Sequence, residues 1–236
     1  MGTKPIIELE DVWRVYRMGE VDVPALRGID LEIQKGEFTA IVGPSGSGKS
    51  TMMNMVGCLD LPTKGHVFLD SQNISKLAES QLAQVRGQKI GFVFQQFNLI
   101  QTLTALENVM LPLAFQDVDD SSARKRALEI LTTVGLGNRI SHLPTQLSGG
   151  ERQRVSIARA LAVDPEIILA DEPTGNLDSR TGEFIMRFFK KIHGEDSKTI
   201  LMVTHDLQLA RKIADRMVHL KDGRVEKTTH GRGGAR

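Results

Sequence analysis

The sequence predicts an α/β fold built on a largely parallel sheet, with a helical lobe beside it. Three observations carry this. Short apolar segments of strand character alternate with helical ones over most of the chain. A Gly-rich loop, Gly43 to Ser50, sits between one such strand and a helix. A mostly helical stretch from roughly Gln96 to Leu143 interrupts the alternation.

Ile29, Leu31 and Ile33 alternate with Asp30, Glu32 and Gln34, the pattern of a half-buried strand, which Lys35-Gly36 closes. Phe38 to Val42 is a continuous apolar strand that feeds the Gly-rich loop and a helix from Lys49 to about Cys58. After Pro62 the pattern gives a short strand over His66 to Asp70 and an apolar strand over Ile90 to Gln95. Thr104-Ala-Leu-Glu107 has capping-box spacing for a helix start. Asp117 to Ser122 reads as an acidic loop leading into an amphipathic helix, with Ala127, Leu128, Leu131 and Val134 on one face and Gly135 ending it. A helix opens at Ser148-Gly149-Gly150 and stops near Pro165. Ile167 to Ala170 is a buried strand, Ser179 to His193 a helix, and Thr199 to Thr204 a strand, before Asp222-Gly223 turns a terminal hairpin.

Composition narrows the function classes. The 236 residues, 40% hydrophobic and 25% charged, fit one globular domain with a smaller lobe and exclude a disordered or fibrous chain. Thirty basic against 29 acidic side chains leave a net charge of +1, which argues against a surface for nucleic acid or an anionic membrane. A single cysteine, Cys58, allows no intrachain disulfide and no thiolate cluster, fits a reducing compartment, and reads as a small buried hydrophobe. The residues from Met1 to Glu10 do not read as a secretory signal, and the best apolar window, Leu103 to Phe115, is broken by Glu107 and Asn108. No membrane span is expected, so a membrane role has to come through a partner. Met52, Met53 and Met55 read as core filler, Trp13 as a core aromatic, and Arg124-Lys125-Arg126 as a solvated helix face.

The chemistry concentrates in two motifs. Gly43-Pro44-Ser45-Gly46-Ser47-Gly48-Lys49-Ser50 matches the phosphate-loop pattern with a strand before it and a helix after it. Glycines let backbone N–H groups converge on phosphate oxygens, and the helix N-terminus adds positive potential. Lys49 supplies a point charge to the β- and γ-phosphates, and the Ser50 hydroxyl suits Mg²⁺. Ile167-Ile-Leu-Ala-Asp171-Glu172 is an apolar strand ending in two carboxylates, at the end of a parallel strand where α/β folds bind ligands. Asp171 suits Mg²⁺, directly or through water, and Glu172, pointing the other way, suits orienting or deprotonating an attacking water.

Leu147-Ser148-Gly149-Gly150-Glu151 precedes that acidic pair by about 20 residues. With it, nearly the whole chain resembles the nucleotide-binding subunit of ABC transporters. The resemblance implies a P-loop NTPase with a RecA-like core and an antiparallel β subdomain, over residues 1–95 and 163–228, a helical subdomain over 96–162, and a flexible tail over 229–236. It implies that ATP and Mg²⁺ bind to Gly43 through Thr51. Tyr16 is similar to the aromatic that stacks on adenine. Gln95 is similar to the glutamine that contacts Mg²⁺ and senses the transmembrane partner. Ser148, Gly149, Gly150 and Glu151 resemble the signature that meets the nucleotide of a second subunit, presenting free N–H groups at a helix start. Asn176-Leu177-Asp178 is similar to the D-loop, and His205 to the switch histidine near the γ-phosphate. Glu151 stands where the commonest signature has Gln, and Gly-Asn-Leu-Asp where the D-loop usually reads Ser-Ala-Leu-Asp.

The stretches Tyr16-Arg-Met-Gly-Glu20, Val23-Pro-Ala-Leu-Arg27, Gly57-Cys-Leu-Asp60 and Phe92 to Leu99 are most similar to the lipoprotein-release and macrolide-export branch. That implies a homodimer sandwiching two ATP molecules at the cytoplasmic face of the inner membrane. It would power export or release of a lipoprotein, macrolide or peptide-like substrate through integral membrane permease subunits. A cell-division type of ATPase, which transmits mechanical signals instead, stays open beside it. A soluble relative acting on DNA or ribosomes fits less well. Ser50 and Ser148 are only 98 positions apart, too close for a long coiled-coil insertion, and the chain holds a single cassette.

Overall fold

In the computed structural model, which describes residues 4–231 and 233, the chain forms two compact units, residues 1–85 with 190–236, and residues 86–189. The first unit opens with a long antiparallel pair, β1 (Ile7–Met18) and β2 (Val21–Ile33). On the other edge of β1 lie β4 (Lys64–Leu69) and the two-residue β5 (Gln72–Asn73). The expected strand at Ile29 to Ile33 is the inner end of β2. Its outer half is exposed and paired with β1 alone, so no buried face imposes an alternating pattern on Val21 to Val23. Asp70 and Ser71, both at positive φ, turn β4 into β5.

The second sheet of this unit is built on β3 (Phe38–Val42), wholly buried and parallel to both β8 (Thr199–Thr204) and β9 (Arg216–Lys221). β10 (Arg224–His230) returns antiparallel to β9 through Asp222 (φ 49°) and Gly223 (φ 75°), the left-handed pair that a two-residue hairpin turn requires. Thr229 and His230 pair with Met217 and Arg216, so they complete β10 rather than open a tail. Of the expected tail, residues 232 and 234–236 lie outside the described residues. Helix α1 (Lys49–Val56) packs on β2, β4 and β8 with Met52, Met53 and Met55 buried, as expected. It stops at Val56, and Cys58, buried at φ 54°, carries the chain away from the helix. Helix α7 (Leu207–Ile213) covers β3. Trp13 is half-buried rather than core, its indole N–H donating to Asp11 Oδ1 at 2.7 Å.

In the second unit β6 (Ile90–Val93) runs parallel to β7 (Ile167–Asp171). Helices α3 (Ala105–Ala114), α4 (Asp120–Thr133) and α5 (Gly149–Leu161) pack on one another, and α5 also lies on β6. The Thr104–Glu107 capping box opens α3 as its spacing predicts. Asn108, fully buried, bonds through its amide to Ile100, Leu103 and Thr104, which is how a polar residue sits inside the apolar stretch. The acidic loop is shorter than predicted, since Asp119 caps α4 and Asp120 already belongs to it. Helix α6 (Ser179–Asp196) runs past His193, and α2 (Glu79–Lys89), with only Leu82 and Val85 buried, has too faint an apolar stripe to be read from sequence. Among the described residues no helix is long and apolar enough to cross a membrane.

Candidate active site

The first unit carries the phosphate loop, between β3 and α1. Gly46 (φ 76°) and Gly48 (φ 100°) take left-handed backbone, and a Cβ at Gly48 would lie 2.5 Å from the Ala25 carbonyl. A Cβ at Gly43 would lie 2.1 Å from the Leu220 carbonyl, so β2 and β9 hold the loop from behind. The Gly223 N–H adds a 3.1 Å bond to Ser47 O. Lys49 is buried, and its ammonium donates to Gly43 O at 2.9 Å and Pro44 O at 2.7 Å, fixing positive charge inside the loop. No side chain caps α1 at Gly48. The first-turn N–H groups, those of Lys49, Ser50 and Thr51 among them, therefore lack helical acceptors, the arrangement that binds anions. The Ser47 hydroxyl is buried with no protein partner. Pro44, Ser45, Gly46 and Ser50 are exposed. A concave loop of this kind fits a polyphosphate.

Two further predicted residues belong to this unit. Tyr16, on β1, is half-buried; its hydroxyl donates to Asp60 Oδ2 at 2.9 Å and the Arg14 guanidinium lies 4.7 Å from its ring centroid. His205 is exposed directly after β8, where Asp206 begins α7 by accepting the Leu209 N–H at 2.9 Å.

The second unit carries the two carboxylates and brings Glu172 together with Gln95. Four buried residues, Ile167 to Ala170, deliver Asp171 to the end of β7. Glu172 follows at φ 43°, an uncommon conformation for a non-glycine residue and one that clusters at functional sites. β6 ends at Val93 rather than Gln95, so Gln95 sits in the turn that follows. A Cβ at Gly175 would lie 3.0 Å from Gln95 Nε2 and 3.3 Å from Glu172 Oε2, so the amide and the carboxylate converge beside a glycine. The Asn176 side chain donates to Gln95 O at 3.0 Å, and the buried Gln153 amide donates to Pro173 O at 2.9 Å. Within this unit Gln95 and Asp171 offer an amide oxygen and a carboxylate, hard oxygen donors of the kind that Mg²⁺ takes.

The signature region is a capped helix start. Ser148 is the N-cap of α5; its Oγ accepts the Glu151 N–H at 3.3 Å while Glu151 Oε2 accepts the Ser148 N–H at 2.8 Å. This corrects the expectation of free N–H groups along Ser148 to Gly150. The Ser148 donor is already used, which leaves the Gly149 and Gly150 N–H groups as first-turn donors without helical acceptors. Glu151 is further held by Arg139 at 3.3 Å. The Ser148 N–H bond, then the Ser148 hydroxyl and the charges of Arg139 and Arg154, hold its carboxyl below the usual 4.5 against the opposing effect of burial. Asp178 is likewise engaged: it accepts from the Thr181 N–H at 3.0 Å and the Thr181 hydroxyl at 2.7 Å, bonds that lower its pKa. A Cβ at Gly150 would lie 2.5 Å from Thr181 Cγ2, so a larger residue there would push the Thr181 side chain aside.

Sequence reasoning misses four residues that build this site. Asp60 and Arg14 hold Tyr16, Gln153 holds the segment after Glu172, and Arg159 donates from Nη2 to Phe97 O at 3.0 Å and from Nη1 to Asn98 O, fixing the turn that follows Gln95. Burial lowers the Arg159 pKa. Asp60 carries a sequence signal, within Gly57-Cys-Leu-Asp60; the other three sit in helix or strand interiors where no spacing marks them.

A phosphate loop, a strand ending in two carboxylates and a capped Ser-Gly-Gly helix define an ATP-binding cassette. The family model described as "ABC transporter" matches residues 26–175. The chain belongs to the ABC transporter family, as an ATP-binding domain with ATPase activity. It is 53% identical over 223 residues to an uncharacterized ABC transporter ATP-binding protein of Thermotoga maritima, covering 94% of each. It is 50% identical to the macrolide export ATP-binding/permease protein MacB of Syntrophobacter fumaroxidans, matching 94% of this chain but 31% of that protein. Among solved structures, the dimeric post-hydrolysis state of the ATP-binding cassette MJ0796 bound to ADP and Pi superposes with a TM-score of 0.90. It is 52% identical, over 96% of this chain and 99% of that one; the protein itself is from Methanocaldococcus jannaschii.

Proposed function

We propose that this ATPase works as a homodimer that sandwiches two ATP·Mg²⁺ and powers export or release of a lipoprotein, macrolide or peptide-like substrate. Integral membrane permease subunits would hold it peripherally at the cytoplasmic face of the inner membrane. The observation that carries the reading is the likeness to the MJ0796 cassette, a dimer described with ADP and Pi. The MacB likeness supports export, because that protein is named for macrolide export and joins an ATP-binding part to a permease. Residues 96–162 form the proposed helical subdomain and, with Gln95, the side that senses the permease.

In this reading Gly43 to Thr51 hold the triphosphate through backbone donors, with the Lys49 charge on the β- and γ-phosphates. Tyr16 stacks on adenine. Ser50, Gln95 and Asp171 would hold Mg²⁺, which when bound neutralises charge on the phosphates. Glu172 orients or deprotonates the attacking water, from the left-handed backbone position that directly follows β7. His205 stands by the γ-phosphate. Gly149 and Gly150 offer their N–H groups to the nucleotide of the other subunit, with Ser148, Glu151 and Asp178 shaping that surface.

Glu172→Gln tests this. The amide keeps the shape and removes the basicity, so hydrolysis should fall by about 10²–10⁴-fold with ATP binding retained. Size exclusion with ATP·Mg²⁺ should show a dimer of the variant. Near-native turnover would move the base elsewhere, with His205 the next candidate.

A further inference from the structure

Asp60, in the segment that leaves α1, gathers three partners on one carboxylate. Its Oδ2 accepts from Tyr16 Oη at 2.9 Å, and its Oδ1 lies 2.7 Å from Arg14 Nη2 and accepts the Leu61 N–H at 2.8 Å. The segment is fixed at both ends. Leu59 and Asp60 donate their N–H groups to Asn54 O of α1 at 2.9 and 3.3 Å. At the other end Thr63 bonds β1 twice, its N–H to Trp13 O at 2.7 Å and its Oγ1 accepting the Val15 N–H at 3.0 Å. Asp60 is therefore a rigid post between the helix that starts at the phosphate loop and the aromatic ring on β1.

That ring needs a post. Tyr16 lies where β1 runs out into an exposed ribbon, half-buried beside exposed Arg17 and Met18 and outside the buried core. A phenol bonded to an ionised carboxylate is held about twice as strongly as by a neutral acceptor. Arg14 and Asp60 are 25% and 21% exposed, so their charges are partly sheltered from salt. The Arg14 guanidinium, 4.7 Å from the ring centroid, takes one face of the ring through its quadrupole and so adds a second restraint on the ring plane.

We propose that Asp60 and Arg14 are positioning residues for the nucleotide base. They lock the Tyr16 ring in its stacking orientation and tie it to the phosphate-loop helix, so that base and triphosphate are received at one fixed spacing. This rests on the reading of Tyr16 as the adenine platform, and the test separates the two.

Affinities for ATP and for inorganic tripolyphosphate would be measured by calorimetry on the full chain and on Asp60→Ala, Asp60→Asn, Arg14→Met, Tyr16→Ala and the Asp60→Ala/Tyr16→Ala pair. Asp60→Ala should weaken ATP by about 3- to 30-fold, part of what losing a stacked base costs, and leave tripolyphosphate affinity unchanged. Half-saturation of turnover should rise by the same factor with maximal turnover kept. Asp60→Asn, which still accepts from Tyr16 Oη but loses the Arg14 pair, should fall between, as should Arg14→Met. The pair should be no weaker than Tyr16→Ala alone, because the post has nothing left to hold. Equal losses for ATP and tripolyphosphate in Asp60→Asn, or additive losses in the pair, would overturn the proposal. If Tyr16→Ala weakens ATP and the Asp60 variants bind it natively, only the positioning role falls. If Tyr16→Ala itself binds ATP natively, the platform reading fails and the positioning role with it.

Discussion

Glu151 shows how a single side chain changes meaning between sequence and structure. Read against the commonest signature it is a departure; in the fold it is the third residue of α5 and closes a capping box, bonded to the Ser148 N–H. The signal was legible, because Ser148-Gly-Gly-Glu151 has the spacing that gives Thr104 and Glu107 as a cap pair. Its partners lower the Glu151 pKa below the usual 4.5. A depressed acid contributes stability above its unfolded pKa and loses it as pH falls through the folded value. Glu151→Gln keeps an acceptor for Ser148 but loses the charge, so its unfolding midpoint should lie below wild type at neutral pH and converge with it in acid. Thermal unfolding at neutral pH and below the folded-state pKa checks this, and a deficit of equal size at both would count against it.

Among the elements, buried apolar strands were legible and ribbons were not. β3, β7 and β8 are apolar runs whose ends the structure reproduces within a residue. The outer half of β2 and the weakly amphipathic α2 have no such contrast between faces, and no pattern announced them. The active-site loops fall between: Asp171 and Glu172 follow from the strand that delivers them, whereas the bond from α5 that steadies the next residues does not. Gln153, fully buried, reaches from α5 to Pro173 O, one residue past Glu172. Gln153→Met keeps the volume and leaves that carbonyl without its donor, so stability should fall by about 1–3 kcal/mol. Because the freed segment carries Glu172, maximal turnover should drop more than ATP affinity. If turnover at saturating ATP stays native, the bond steadies the fold without serving the chemistry.

At the scale of the whole molecule, the proposed dimer makes the phosphate loop and the signature parts of one site drawn from two chains. In that proposal the capped helix start at Gly149 and Gly150 is an anion site by the same physics as the loop at Gly48, and one chain has no second triphosphate to give it. Ser148→Arg fills that surface with a long cation and breaks the capping box, so it should leave the ATP affinity of the isolated chain nearly native while abolishing dimerisation and turnover. Lys49→Ala should lose ATP affinity and turnover together, since the charge held on Gly43 O and Pro44 O is gone. Mixing the two variants is the sharper measurement. A heterodimer pairs the intact phosphate loop of the Ser148→Arg chain with the intact signature of the Lys49→Ala chain, and gathers both defects in the other site. Part of the ATPase activity should therefore return on mixing, although each parent is inactive. If every mixing ratio stays as inactive as the parents, either the site lies within one chain or both sites must fire together. Crosslinking through cysteines placed at Ser45 and Gly149 then decides, because only a shared site brings the loop of one chain against the signature of the other.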